Sequence, residues 1–351
     1  MRCFLTAVCV IFVLSSCGSC SLDSGPEEGG GYTFVSYNLC NAFDDVSDGT
    51  EYAEFDPAGG QWTQADYAKK LAAVGRVIAA SASGGPDFAA LVEIENDKVL
   101  EDLAAGPLHD EEYRWGVTLP TEGSAIRVGF LSRFPVQELR GHTPPSSGFG
   151  QRSFLEVVLD VDGEALTVFI CHFKAKTEGD AATENSRRLA ANTLARRIGE
   201  IAADSPGAQI LILGDLNENI DEYDRKAGAY ATALMPASFA ASSASGAADS
   251  SAAQSLIPLY VTGEKTESSL AGPVIFYSPW LDDPPHPGSY YYRGAWETID
   301  HTLLSAGLVD EAGLVFEDFL VVRGEFMLSA SGAPKKEFSD HLPVLVKLRK
   351  H

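Results

Sequence analysis

Positive charge is scarce in this chain: its 351 residues carry 26 Lys and Arg against 49 Asp and Glu, a formal net charge of −23. That balance excludes a protein that coats nucleic acid through bulk charge, and leaves room only for a local basic pocket. Cysteine is sparse too, with six in all. Cys3 and Cys9 fall in the N-terminal apolar region and Cys17 directly behind it, which leaves Cys20, Cys40 and Cys171. An odd remainder builds no complete disulfide framework. A Cys40–Cys171 bridge in an oxidising compartment and two free buried thiols both stay open. Long apolar runs suited to a multi-span membrane protein are missing, as are internal repeats and a nucleophilic serine elbow. With 45% hydrophobic and 21% charged residues, the chain is neither disordered nor short of core.

What is present begins with an export pattern. Arg2 precedes an apolar run over residues 4–14, and Ser15, Ser16 and Cys17 follow. A positive end, a short apolar stretch and small residues make a secretory signal, too short for a comfortable membrane span. Leu14-Ser15-Ser16-Cys17 also resembles a bacterial lipobox, which implies a lipoprotein signal peptide over residues 1–16 and lipid on Cys17. Cys20 is the second choice, and a plain cleaved signal is the alternative. Residues 17–31, rich in Gly, Ser and acid, read as a flexible tether. The expectation is an exported protein, lipid-anchored to a bacterial membrane, periplasmic or at the cell surface.

Residues 32–350 form the expected folded domain. Strands are predicted at 32–38, 88–94, 126–131, 154–161, 165–173, 209–213, 298–304, around 317–322 and at 342–348. Asp162-Gly163 signals a tight hairpin. Thr63 can cap a helix that turns Tyr67, Leu71, Val74, Val77 and Ile78 inward, ending at Gly84-Gly85-Pro86. A second helix over 184–202 turns Leu189, Leu194, Ile198 and Ile201 inward. The acidic stretch 44–56 and residues 282–287 read as loops. An Ala- and Ser-rich segment near 231–256 reads as a low-complexity surface insertion. Strands alternating with two long helices, interrupted by hairpins, predict a layered α/β sandwich and not a doubly wound parallel sheet.

Polar residues gather where these strands end: Asn38, Glu93, His172, Asp215 with Asn217, Asp300 with His301, and Asp340 with His341. Hard oxygen donors suit Mg²⁺, and histidines with carboxylate partners handle protons near neutral pH. Together they are equipped for metal-assisted attack of water on a phosphate ester. Glu93 ends so apolar a strand that its carboxylate needs a partner, which a metal provides; Glu95 competes for that part. His301 reads as structural. The acids Asp44, Asp45, Asp48, Glu51, Glu54 and Asp56 lack EF-hand spacing and read as a solvated loop. Arg187, Arg188, Arg196 and Arg197 read as a wet helix face. Lys174 and Lys176 alternate on a predicted strand and so share a face.

Six strings occur in family order: Ser36-Tyr37-Asn38-Leu39, Val92-Glu93, Cys171-His172-Phe173-Lys174, Gly214-Asp215-Leu216-Asn217, Ile299-Asp300-His301 and Ser339-Asp340-His341-Leu342-Pro343-Val344. Over about residues 32–348 the sequence resembles the endonuclease/exonuclease/phosphatase superfamily, with its deoxyribonuclease I-like fold. Asn41-Ala42-Phe43-Asp44, His172-Phe173-Lys174-Ala175-Lys176 and Tyr291-Tyr292 ahead of Trp296 resemble secreted bacterial nucleases of that superfamily. The resemblance implies a four-layer α/β sandwich, two packed mixed β-sheets flanked by helices. It implies that Glu93 binds Mg²⁺, with Mn²⁺ as a substitute, that Asn38 stands within or behind that ligand set, and that Asp340 helps on the metal side. Asp215 would orient and deprotonate the attacking water while Asn217 holds a phosphate oxygen. His341 would contact the scissile phosphate, Asp300 would fix its tautomer, and His172 would assist the leaving oxygen. Arg127 or Arg133, and Lys174 with Lys176, would meet flanking phosphates.

The implied function is that of an exported metal-dependent phosphodiesterase, foremost an endonuclease acting on DNA or RNA as a monomer. The superfamily's shared motifs do not separate this from hydrolysis of a phospholipid head group or a small phosphorylated metabolite. A surface-binding lipoprotein that kept the fold is the third reading, and the complete polar set stands against it. The acidity of the chain implies weak polyanion binding that falls further with salt.

Overall fold

The structure, a computed structural model, describes residues 12–13, 31–148, 150–240, 256–272, 274–282, 284 and 286–351. The expected signal peptide, tether and lipidation site at Cys17 lie outside the described residues, apart from Phe12, Val13 and Gly31.

Two mixed sheets pack face to face. The first runs, in spatial order, β1 (Phe12–Val13), β4 (Trp115–Leu119), β5 (Arg127–Ser132), β3 (Phe88–Ile94), β2 (Tyr32–Ala42), β17 (Val344–Lys350) and β16 (Leu314–Val321). The second runs β10 (Leu234–Pro236), β11 (Leu259–Thr262), β12 (Ile275–Tyr277), β15 (Asp300–Leu304), β9 (Gln209–Asp215), β8 (Glu164–His172), β7 (Phe154–Val161) and β6 (Val136–His142). A separate hairpin pairs β13 (Tyr290–Tyr292) with β14 (Ala295–Glu297). The helices are α1 (Gln64–Ala79), α2 (Asp97–Ala105), α3 (Asp180–Asp204) and the short α4 (Glu222–Arg225).

The pleat explains why the central strands are apolar throughout. Phe34, Phe88, Phe130, Val168, Leu211 and Leu213 meet between the sheets. Their neighbours Val35, Tyr37, Ile210 and Ile212 point the other way, toward Val74 and Ile78 of α1 or Leu194 and Ile198 of α3. Alternate residues thus serve two different interiors, and neither face is left for water. This is the expected four-layer sandwich.

Local chemistry starts and stops the elements as predicted in several places. Thr63 accepts the Asp66 N–H at 3.2 Å and the Asp66 carboxylate accepts the Thr63 N–H at 3.1 Å, a closed capping box. Asp162 and Gly163 take left-handed φ of 52° and 90° and turn β7 into β8. Cys40 and Cys171 are free thiols, so no bridge forms between them. No helix among the described residues is long and apolar enough to cross a membrane.

Three expectations are corrected. β8 ends at His172, so Lys174 and Lys176 lie beyond it and strand alternation does not govern them. Arg187 is fully buried rather than wet: it bonds Glu184 at 2.6 Å and Thr183 at 2.8 Å, with Glu218 3.4 Å away. The proposed insertion starts too early, because Ala233 and Leu234 are core residues and β10 pairs in parallel with β11. Residues 241–255 of that segment lie outside the described residues.

Candidate active site

The ends of β2, β3, β8 and β9 and the start of β15 open on one side of the two sheets, and register brings their polar residues together. Asn38 pairs with Val92, next to Glu93. Asp215 is flanked by His172 on one neighbour and Asp300 on the other. Gly214 makes this close approach possible. Its φ is +128°, and a Cβ there would sit 1.9 Å from the carbonyl oxygen of Cys171. The glycine of Gly-Asp-Leu-Asn is therefore a steric necessity.

Asp215 is the hub. Its Oδ1 accepts the Asn217 N–H at 2.8 Å and its Oδ2 accepts Asn38 Nδ2–H at 3.1 Å. The same Oδ2 lies 3.8 Å from His172 Nε2 and 4.0 Å from His341 Nε2. Burial and the facing Asp300 carboxylate push Asp215 up to about 7, against the pull of His341. A carboxylate in that range accepts a proton from water far more readily than an ordinary one.

His341 Nδ1 bonds Asp300 Oδ2 at 2.8 Å. Burial opposes the imidazolium, but Asp300 and then Asp215 and Asp340 outweigh it and push His341 up to about 10. Ser289, absent from the sequence reading, donates its hydroxyl to Asp300 Oδ2 at 2.6 Å, and Trp280 Nε1 donates to the Asp300 carbonyl at 2.9 Å. Both fix the carboxylate that aims the imidazole. On its other side His341 stacks on Tyr290, centroids 4.5 Å apart at 28°.

A second missed residue changes the part played by His172. Arg152 Nη1 contacts His172 Nε2 directly and donates to the Phe173 carbonyl at 3.0 Å. Burial and this guanidinium hold His172 well below the usual imidazole range. His172 is a neutral acceptor that positions Arg152. Arg152 sits in an irregular segment with no periodic signal, which is why sequence reading passed over it.

Glu93, not Glu95, reaches this cluster: its Oε1 is 3.7 Å from His172 Nε2, while Glu95 accepts the Asp44 N–H at 2.6 Å. Glu93 takes a left-handed φ of 63° and shifts the β3–β5 register between Val92 and Ile94. Backbone strain of this kind collects at functional sites. Asp340 stands 3.8 Å from His341 Nε2. Lys70 of α1 joins the two segments beside it, donating to the Cys40 and Phe338 carbonyls at 3.1 Å each. Asn217 Nδ2 donates to the Phe173 carbonyl at 3.1 Å, which leaves one amide hydrogen for a ligand. His301 is buried on the Glu218 carbonyl at 2.8 Å and is structural, as expected.

The basic candidates separate. Arg127 opens β5 opposite Ile94, at the rim of the site, and bonds Thr118 at 3.4 Å. Arg133 lies past the far end of β5, roughly 20 Å of strand away. Its guanidinium is used by Asp87 at 3.2 Å and Glu111 at 2.9 Å, so its assignment to a flanking phosphate fails. Lys174 pairs with Glu178 at 2.9 Å and Lys176 with Glu222 at 2.7 Å. Lys176 lines a cleft of about 560 Å³ together with Asn217, Tyr290, Tyr292 and Arg293.

The Endonuclease/Exonuclease/phosphatase family profile matches residues 33–234 of this chain. The chain belongs to that family. No curated protein matches its sequence. Among solved structures, truncated TDP2 from Caenorhabditis elegans superposes with a TM-score of 0.54 at 14% identity, covering 91% of this chain and 98% of that one. An endonuclease/exonuclease/phosphatase from Bacteroides vulgatus gives 0.53 at 14%, covering 92% and 100%. The human Nocturnin catalytic domain with bound sulfate gives 0.52 at 15%, covering 92% and 95%. At these identities the likeness is one of fold.

Membership in the endonuclease/exonuclease/phosphatase family makes phosphoric-ester hydrolysis with a divalent metal the general chemistry of this site. The residues present fit such an ion. Glu93 is strained into place, and its Oε2 accepts only the Asn41 N–H, at 3.0 Å, among the described residues. The neighbouring Asn38 and Asp340 add further hard oxygens. Asp215, Asp300 and His341 also converge, with one ligand atom of each within 4.8 Å of the others. There the imidazole is already bonded to Asp300, which marks a proton-handling pair beside a carboxylate.

Proposed function

We propose that this chain is an exported, Mg²⁺-dependent nuclease that hydrolyses phosphodiesters by in-line attack of water. One observation carries the choice of substrate. From His341 a ladder of flat groups runs outward: Tyr290 on the imidazole, Tyr292 stacked on Tyr290 at 5.9 Å and 14°, and the Arg293 guanidinium 5.0 Å over Tyr292. Tyr292 is 43% exposed on the wall of the cleft. A planar platform that begins on the group beside the scissile phosphate suits a nucleobase, and stacking is tolerant of sequence.

In this reading Asp215, held by Asn38 and the Asn217 amide, takes a proton from the attacking water. The His341 imidazolium, fixed by Asp300 and Ser289, balances charge on the phosphate oxygens. Arg152, held by His172, adds a second positive charge to the site, and Asn217 binds a phosphate oxygen. A divalent ion held by Glu93 with Asn38 and Asp340 supplies Lewis-acid polarisation of the phosphate when bound. The N-terminal apolar run and Cys17 support export and a lipid anchor, and the chain is expected to act as a monomer.

The test is a substrate panel for the purified chain in Mg²⁺, with and without EDTA: plasmid, single-stranded DNA, RNA, a small soluble phosphate ester, and vesicles containing sphingomyelin or phosphoinositide. EDTA-sensitive cleavage of nucleic acid, with KM raised by Tyr292→Ala, is the expected result. Hydrolysis confined to lipid or small esters would overturn the nuclease reading, and hydrolysis of none would return the chain to a binding role.

A further inference from the structure

Two residues beyond Glu93 lies a second carboxylate that the hydrolytic site does not use. Glu95 is 1% exposed, and its Oε1 has no hydrogen-bond partner among the described residues. Its Oε2 accepts the Asp44 N–H at 2.6 Å, so the group faces the acidic loop that follows β2. One carboxylate oxygen each from Asp48 and Glu51 of that loop and from Glu95 lie within 4.8 Å of one another. Lys98 bonds Asp45 at 3.3 Å and Asp102 at 2.5 Å instead. A buried carboxylate oxygen left bare beside two further negative charges is costly unless a cation completes it.

We propose that Asp48, Glu51 and Glu95 bind a Ca²⁺ ion separate from the catalytic cation. The donors are all hard oxygens, drawn from a loop and a strand end. That suits an ion with loose geometry and six to eight ligands better than Mg²⁺, which demands a tight octahedron. Oxygens on one Ca²⁺, at about 2.3–2.6 Å each, stand up to about 5 Å apart, a spread these three already satisfy. Loop carbonyls and water complete the shell. The ion ties the loop to the backbone that shapes the catalytic site: Glu95 N–H donates to the Ala42 carbonyl at 3.0 Å, and Asn41 N–H to Glu93. The loop is also fixed by rings, with Phe43 stacked on Phe55 at 4.7 Å and Trp62 Nε1 bonded to the Asp44 carbonyl at 2.7 Å. This places two indole and phenol chromophores, Trp62 and Tyr52, in the same loop region.

The test uses the full chain carrying Glu93→Gln, which weakens the catalytic site, titrated with Ca²⁺ by calorimetry and with Tb³⁺ by ring-sensitised luminescence. One Ca²⁺ per chain is expected, with at least tenfold weaker uptake and loss of the luminescence once Asp48→Asn and Glu51→Gln are added. Both substitutions lie on the loop surface, and an unchanged circular dichroism spectrum verifies folding. A Ca²⁺-dependent rise in unfolding temperature should vanish with them. Absence of Ca²⁺ uptake by the Glu93→Gln chain, or uptake unaffected by the loop substitutions, would overturn the site.

Discussion

Asp300 faces Asp215 directly across the antiparallel ladder of β15 and β9. Two buried carboxylates at one level of a sheet repel each other, and the structure divides their work. Asp300 turns to His341 and Ser289, while Asp215 turns to Asn38 and the Asn217 amide. The residual repulsion, added to burial, raises Asp215 toward neutrality. A base and a charged imidazole are thereby set side by side by a single register.

Replacing Asp300 with Asn keeps the shape and removes the charge that orients and ionises His341. The turnover number is expected to fall about 10²–10⁴-fold, with KM changed little, because the variant leaves the cleft wall intact. Steady-state kinetics on an oligonucleotide checks this. A rise in KM with the turnover number unchanged would assign His341 to binding alone.

Chelation separates the metal side from the proton side. EDTA should abolish hydrolysis and added Mg²⁺ should restore it. Glu93→Gln is expected to raise the Mg²⁺ concentration for half-maximal rate more than about tenfold, whereas Asp300→Asn should leave it unchanged. A shift in Asp300→Asn with none in Glu93→Gln would place the ion on the Asp215–Asp300–His341 group instead.

Much of this site was legible because its residues follow strands whose apolar runs are unmistakable, as with Asp215 after residues 209–213 and Glu93 within 88–94. What escaped notice depends on long-range contact. Ser289 and Arg152 occupy irregular segments, and only the fold brings them to Asp300 and His172. Short elements such as β4, β6 and α2 were missed because five to nine residues carry little periodicity, although Asn96 does cap α2 by accepting the Val99 N–H. Arg187 misled most. An arginine on a helix predicts water, and nothing local announces that Glu218 waits 3.4 Å away in the core.

Glu156 offers a pH-dependent test of stability away from the catalytic centre. It is 1% exposed on β7, and burial raises its pKa; Arg197, at 2.8 Å through two nitrogens, and His142, at 2.6 Å, outweigh this and bring it down to about 2. A depressed carboxylate contributes stability that is complete above its unfolded value near 4.5 and lost as pH falls through about 2. Glu156→Gln should therefore cost about 2–3 kcal/mol at pH 7 and progressively less below pH 4. Urea unfolding at pH 7 and pH 3 measures the difference. A cost independent of pH would show packing, not charge, at work.

Arg187 gives the sharpest prediction for the core. Its guanidinium is fully buried and also donates to the Lys174 carbonyl at 3.2 Å and the Asp180 carbonyl at 2.9 Å, tying α3 to the segment that follows His172. Burial and the neighbouring Glu184 already push Glu218 up to about 8. Arg187→Met would leave both glutamates in the core with no cation between them. The expected loss is about 3–5 kcal/mol, measured by chemical denaturation, because removing one partner strands the others. Adding Glu184→Gln and Glu218→Gln to Arg187→Met should recover part of it, since neutral amides tolerate burial better than bare carboxylates. If the triple variant is no more stable than the single one, the guanidinium acts through its carbonyl bonds to residues 174 and 180 and not through charge.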